Sequence, residues 1–183
     1  MEGCGLVGVD RGGDLPMFAR MTLSTARKHA FEGLHNFRDF GGYRAGGRRM
    51  ATGRFYRSAN HSLVSDADLE RLAAMNIGVV VDLRRPVERE RQPSRRWADF
   101  KGVIIENHDP DEGGETWDKF MAEWDLTYES YRAYLLRYYG RAPYLPRLID
   151  LYTRYFDTVA QSDSAVVVHC AAALPLYSPE DIY

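Results

Sequence analysis

Three short apolar runs limit what this chain can fold into more than any other feature. They are Ile77-Gly78-Val79-Val80-Val81-Asp82-Leu83, Gly102-Val103-Ile104-Ile105-Glu106 and Ala165-Val166-Val167-Val168-His169. None alternates apolar with polar residues, so none suits a strand with one wet face. Short continuous runs of this kind fit strands buried on both faces, as in a parallel sheet. Parallel strands need long crossovers, and the intervening segments carry helical patterns. Trp117, Phe120, Met121 and Trp124 fall at i, i+3, i+4 and i+7. Tyr128, Tyr131, Tyr134, Leu135 and Tyr138 continue in the same spirit. Beyond Gly140 and Pro143, a further stripe runs through Leu145, Leu148, Ile149, Tyr152, Phe156 and Val159. Aromatic residues at such spacing read as packing, not as a cofactor box. The expected class is α/β, with a mainly parallel central sheet flanked by helices.

The first part of the chain is less regular. Residues 1–20 are rich in glycine without apolar periodicity and read as a flexible leader, with the folded domain expected over 21–172. Residues 33–47 carry the turn formers Asn36, Asp39, Gly41, Gly42, Gly46 and Gly47, with strand pieces expected around Phe37 and Tyr43. Phe55-Tyr56-Arg57 reads as a short strand. Ser65-Asp66-Ala67-Asp68 reads as a capping box with Asp in the Glu role, and Asn76 as the end of the helix that follows.

A chain of 183 residues suits one domain with one core. A formal net charge of −2 gives no general bias toward nucleic acid or an anionic membrane, so any attraction to phosphate must be local. No stretch approaches the length of a membrane span. Cys4 and Cys170 are too far apart and too few for a disulfide framework, and a reducing cytoplasm is the simpler setting.

Ligands in open α/β sheets bind beyond the carboxyl ends of the strands. Val166-Val167-Val168-His169-Cys170 puts a cysteine there. Backbone N–H groups around such a sulfur would favour thiolate over thiol and would also cradle a phosphate dianion. A thiolate under a phosphate cradle is suited to attack phosphorus. The alternative from this strand alone is a small buried core residue.

His169-Cys170-Ala171-Ala172 resembles the opening of the bacterial tyrosine/serine protein phosphatase signature, His-Cys-two small residues-Gly-Lys-Asp-Arg-Thr-Gly. Asn36-Phe37-Arg38-Asp39-Phe40-Gly41-Gly42-Tyr43 is similar to that family's N-terminal motif. Gly53-Arg54-Phe55-Tyr56-Arg57-Ser58-Ala59 is similar to its Tyr-Arg-Ser segment, and Val81-Asp82-Leu83-Arg84 with Glu88 to its Asp-Leu-Arg motif. All four occur in the family's order. The resemblance implies a dual-specificity-phosphatase-like fold and a phosphomonoesterase with a cysteine nucleophile, Cys170, and neither metal nor cofactor. Its partners would be phosphotyrosine proteins, in some members phosphoserine or phosphothreonine proteins or phosphoinositides. His169 would order the loop and lower the thiol pKa. An acid must protonate the leaving oxygen. Asp82 is one candidate, at the end of a buried strand; Asp109 and Asp111 are others, following the next strand. Arg57 and Arg84 would orient phosphate through their planar forks or tie loops together. Arg38 and Asp39 are expected to pin the glycine loop. The arginines between Arg84 and Arg96 read as a solvated face, with a phosphate-attracting patch as the sharper reading.

The signature fails after Ala172. Ala173 stands where the family has Gly, and Leu176 where it has the arginine that clamps the phosphoryl group. Pro175 removes an N–H from the cradle. Residues 173–183 are therefore expected to be an aberrant tail from a frameshift or truncation. The family's C-terminal helices would be missing, the strand at 165–169 would keep one apolar face uncovered, and phosphatase turnover would be negligible. A phosphate-binding module without turnover is the second reading. A rhodanese-type sulfurtransferase is a distant third, because that family lacks the Asn-Phe-Arg-Asp and Tyr-Arg-Ser segments.

Overall fold

The computed structural model describes residues 27–108 and 127–171, together with residues 122 and 125. The leader at 1–20, Asp109, Asp111, the Trp117–Trp124 stripe and the tail at 173–183 lie outside the described residues.

The elements follow the order β1 (Arg38–Asp39), β2 (Arg44–Ala45), β3 (Arg48–Arg49), β4 (Phe55–Ser58), α1 (Asp66–Ala73), β5 (Ile77–Asp82), α2 (Pro86–Arg91), β6 (Val103–Glu106), α3 (Tyr128–Arg141), α4 (Pro146–Gln161) and β7 (Ala165–His169). One 3-10 turn, Ala142–Tyr144, joins α3 to α4. Five strands form one sheet in the order β1-β4-β7-β5-β6. Strand β1 is antiparallel to β4. The pairs β4–β7, β7–β5 and β5–β6 are all parallel. This is the mixed, mainly parallel α/β sheet expected from the apolar runs.

β7 lies at the centre, and its side chains alternate between two cores. Ala165 and Val167 face Leu34, Phe37, Tyr56, Val64 and Leu72. Val166 faces Val79, Val81, Ile105 and Leu151 of α4. Val166 and Val167 are 1% and 0% exposed, so the strand keeps no uncovered face, contrary to expectation. Helix α4 covers the Val166 side of the strand.

Two further expectations change. Among the described residues β6 is an edge strand, and its Val103 and Ile104 are exposed. Apolar composition cannot distinguish an edge position from a central one. The buried line of α4 runs through Leu148 and Leu151, with Tyr152, Tyr155 and Val159 packed beside it, while Ile149 and Phe156 face outward. Leu148, Tyr152 and Val159 of the expected stripe lie on the packed side, and Leu151 rather than Ile149 or Phe156 completes it.

Local signals hold where they rest on hydrogen bonding. Ser65 and Asp68 form the capping box of α1. Both Asp68 oxygens also accept from the loop before β1, from Glu32 N at 2.9 Å and Gly33 N at 2.7 Å. Asn76 takes the left-handed conformation, φ 51°, just past the helix. Asp39 accepts from Gly41 N and Gly53 N, each at 2.6 Å, and so pins the glycine loop. Gly41 cannot be replaced there, because a Cβ would lie 2.1 Å from the Ala51 carbonyl oxygen.

Candidate functional site

Cys170 follows the last residue of β7 and is half-buried. It emerges between β4 and β5, whose parallel registers bring Ser58 and Asp82 level with His169. The residues before and after the cysteine are held from one turn, the one that follows β4. Asn60 Nδ2 donates to the Ala171 carbonyl oxygen at 2.9 Å. The ring of His61 stacks on that of His169 with centroids 4.4 Å apart.

His61 and His169 are 0% and 1% exposed. Burial holds both well below the ordinary histidine value, and nearby arginines push in the same direction. The contacts also assign a tautomer. Arg96 Nη1, which can only donate, lies 3.3 Å from His61 Nδ1. Nδ1 therefore accepts, Nε2 carries the proton, and Ser58 Oγ accepts it at 3.0 Å. Among the described residues, neither ring nitrogen of His169 has a hydrogen-bond partner. Its Nε2 approaches Asp82 Oδ2 at 3.6 Å, outside hydrogen-bond range. A neutral imidazole beside Cys170 offers shape and packing; it supplies no cationic field to a thiolate.

Asp82 and Arg84 lie behind the loop, 0% and 2% exposed. Arg84 Nε donates to both Asp82 oxygens, at 2.9 and 3.1 Å, and Nη2 donates to Oδ2 at 2.7 Å. The rest of its fork goes to Ser94 Oγ at 2.6 Å and the Gln92 carbonyl at 2.7 Å. Of the two roles open to Arg84, this geometry fits the tie between loops: the fork is spent on protein atoms and water cannot reach it. Asp82 is fully buried and both of its carboxylate oxygens accept from Arg84.

Arg57 occupies different surroundings. It lies on the α4 side of the sheet, opposite Arg38 across the β1–β4 pair and level with Val168 of β7. Burial, and then Arg38, lower its pKa, while Cys170, Tyr139 and Tyr43 oppose that shift. Tyr139 is pushed up to about 12, first by burial and then by Cys170. Arg57 and the Tyr139 phenol of α3 therefore both lie within electrostatic reach of Cys170.

Several arginines of the 84–96 segment are tied to protein atoms, while Arg91 and Arg95 stay exposed. Arg89 donates to the carbonyls of Arg84 and Asn107, both at 2.7 Å. Arg95 donates to the Val64 carbonyl at 2.6 Å and pairs with Asp66. These side chains stitch α2 and its flanking loop to the sheet. Among the described residues, no three His, Cys, Asp or Glu side chains converge as metal ligands would. No described helix is long and apolar enough to cross a membrane.

The sequence reading did not single out Asn60, His61 or Tyr139, and it named Arg96 only as a member of the arginine run. Asn60 and His61 directly follow the Tyr-Arg-Ser segment, and that adjacency was the available signal. Tyr139 falls off the apolar stripe assigned to α3, so it drew no attention.

A thiol at the carboxyl edge of a parallel sheet, next to an arginine and above a buried ionic tie, defines a class of α/β proteins whose ligand site lies past the strand ends. Residues 29–172 match a family model described as the tyrosine phosphatase family. The chain belongs to that family. It is also 35% identical over 145 residues to a Cupriavidus necator protein named "putative tyrosine-protein phosphatase". That match covers 78% of this chain and 51% of the relative, so the chain spans about half the length of the curated protein it matches.

Proposed function

We propose that this site is built for phosphate-monoester chemistry through a phosphocysteine, with phosphotyrosine proteins as the first substrate class. The observation that carries the reading is the half-buried Cys170 at the end of the central parallel strand, with Arg57 as the cation beside it. In this chemistry the Cys170 thiolate attacks phosphorus and the phosphorus–oxygen bond to the leaving group breaks. The leaving oxygen takes a proton, and water then cleaves the phosphorus–sulfur bond, restoring the thiol and releasing phosphate. Arg57 orients the phosphoryl oxygens, while His169 shapes the loop. Asp82 is better suited to holding Arg84 than to giving up a proton, because it is buried and both of its oxygens accept from Arg84. Phosphoserine, phosphothreonine and phosphoinositide substrates extend the same chemistry.

In this chain the second half of the cradle differs. Leu176 stands six residues after Cys170, where the resemblance calls for arginine, and it offers no charge to a phosphoryl transition state. We therefore expect negligible turnover by the chain as it stands. The test is p-nitrophenyl phosphate hydrolysis by the purified chain, with Cys170→Ser as the blank. Turnover that depends on Cys170 would overturn the expectation of inactivity. A phosphate-type ligand that binds at Arg57 without turnover would support the non-catalytic reading, although Leu176 argues against strong binding.

A further inference from the structure

The hairpin inserted between β1 and β4 carries charge that the fold does not use. Strands β2 and β3 pair antiparallel, with Arg44 opposite Arg49 and Ala45 opposite Arg48. Gly46 and Gly47 make the two-residue turn, at φ 55° and 77°, so both central residues are left-handed as a tight hairpin requires. Arg44, Arg48 and Arg49 are all exposed. Among the described residues, none of the three has a hydrogen bond or an ion pair. Arg54 differs, because it donates to the Val159 and Ser162 carbonyls. No Asp or Glu occurs between Phe40 and Ser65, although the whole chain has a formal net charge of −2. Like charges directly opposite destabilise a strand pair, and this segment holds no carboxylate to offset Arg44 and Arg49. The hairpin also adjoins the site. Its two flanking strands pair Arg38 with Arg57, and Tyr43 at its base lies within electrostatic reach of Arg57.

We propose that the β2–β3 hairpin is a docking surface for acidic segments that flank the phosphorylated tyrosine of a substrate protein. Arginine forks match carboxylates in a bidentate way, and the ladder fixes the spacing of the three forks. The tip is open to approach: among the described residues, a Cβ added at Gly46 or Gly47 would meet nothing within 4 Å. A membrane surface fits less well. The tip carries no large apolar side chain to bury in lipid, and three arginines fall short of the polybasic clusters that hold anionic headgroups. Charges at the rim act on encounter and on choice of partner more than on chemistry, so the hairpin selects substrates and leaves the reacting atoms alone. This inference rests on the reading of the site as one for phosphotyrosine proteins, and the test separates the two.

Fluorescence anisotropy of the full chain with three labelled peptides tests it. One is a phosphotyrosine peptide flanked by glutamates, one has glutamines in their place, and one has the glutamates but no phosphate. At about 0.05 M salt the glutamate phosphopeptide should bind about tenfold tighter than the glutamine one, and about 0.5 M salt should remove most of that preference. The triple variant Arg44→Ala, Arg48→Ala, Arg49→Ala should lose the preference while its far-UV circular dichroism stays unchanged. If the triple variant does not fold, Arg48→Glu alone should weaken binding of the glutamate peptide and spare that of the glutamine peptide. Wild type without the preference, or variants that keep it, would overturn the docking role. So would binding to phosphatidylserine vesicles in place of the glutamate peptide, since the partner would then be lipid. A preference for glutamates that depends on the hairpin, with no gain from the phosphate, would leave the docking surface standing and overturn the phosphotyrosine reading of the site.

Discussion

The stacked pair His61–His169 makes the folded protein sensitive to mild acid. Both rings are buried and held neutral, whereas in the unfolded chain each titrates near its ordinary value. Because the folded values are depressed, their contribution to stability is full above about pH 6.5 and is lost progressively below it, down to the folded values. Taking the chain from about pH 7 to about pH 5.5 protonates both histidines in the unfolded state only, which costs about 1.2 kcal/mol for each ring and about 2.5 kcal/mol for the pair. Most carboxylates have yet to titrate in that window, so the loss belongs largely to histidine. Urea titrations at the two pH values, followed by far-UV circular dichroism, measure it. His61→Gln removes one of the two groups and should halve the pH-dependent loss, whatever it does to stability at neutral pH. If wild type loses less than about 0.5 kcal/mol, or His61→Gln shows the full loss, the neutral-pair argument fails.

Three further outcomes follow from the same structure. Asp82→Asn leaves Arg84 buried without its counter-charge and should cost about 3–5 kcal/mol in urea unfolding, whereas a surface ion pair such as Asp150–Arg154 should cost under about 1 kcal/mol when broken. Leu151→Ala should destabilise by about 2–5 kcal/mol and Phe156→Ala by under about 1 kcal/mol, the reverse of what side-chain size suggests, because only Leu151 is in the core. Replacing residues 173–178 with Gly-Lys-Asp-Arg-Thr-Gly should create p-nitrophenyl phosphate turnover that Cys170→Ser abolishes. A folded graft with no turnover would mean that Leu176 is not what limits the site.

What the sequence made legible was whatever depends on neighbours along the chain. β5 and β7 were visible because a strand covered on both faces writes a continuous apolar run. The Ser65 cap and the Asn76 terminus were visible because their hydrogen bonds are local. β6 looked like β7 in composition, and nothing in Gly102–Glu106 says which strand lies beyond it. Cys170, Asp82 and Arg57 were found as motif members. Their division into a half-buried thiol, a buried ionic tie and a partly buried arginine depends on burial, which no motif encodes. Asn60 and Ala171 are separated by 111 positions, so their contact leaves no periodic trace.

The strand order β1-β4-β7-β5-β6 has a consequence for how the protein is made. Strands β1 and β4 can pair early during synthesis, as can β5 and β6, but these are two separate ribbons. Their common neighbour is the last described strand to leave the ribosome. Until it arrives, β4 and β5 each present a row of unpaired peptide groups toward the same vacant slot, and any intruding strand could occupy it. The segment that delivers the cysteine is also the keystone that joins the two halves, so the Cys170 sulfur reaches its place at the same step that completes the sheet.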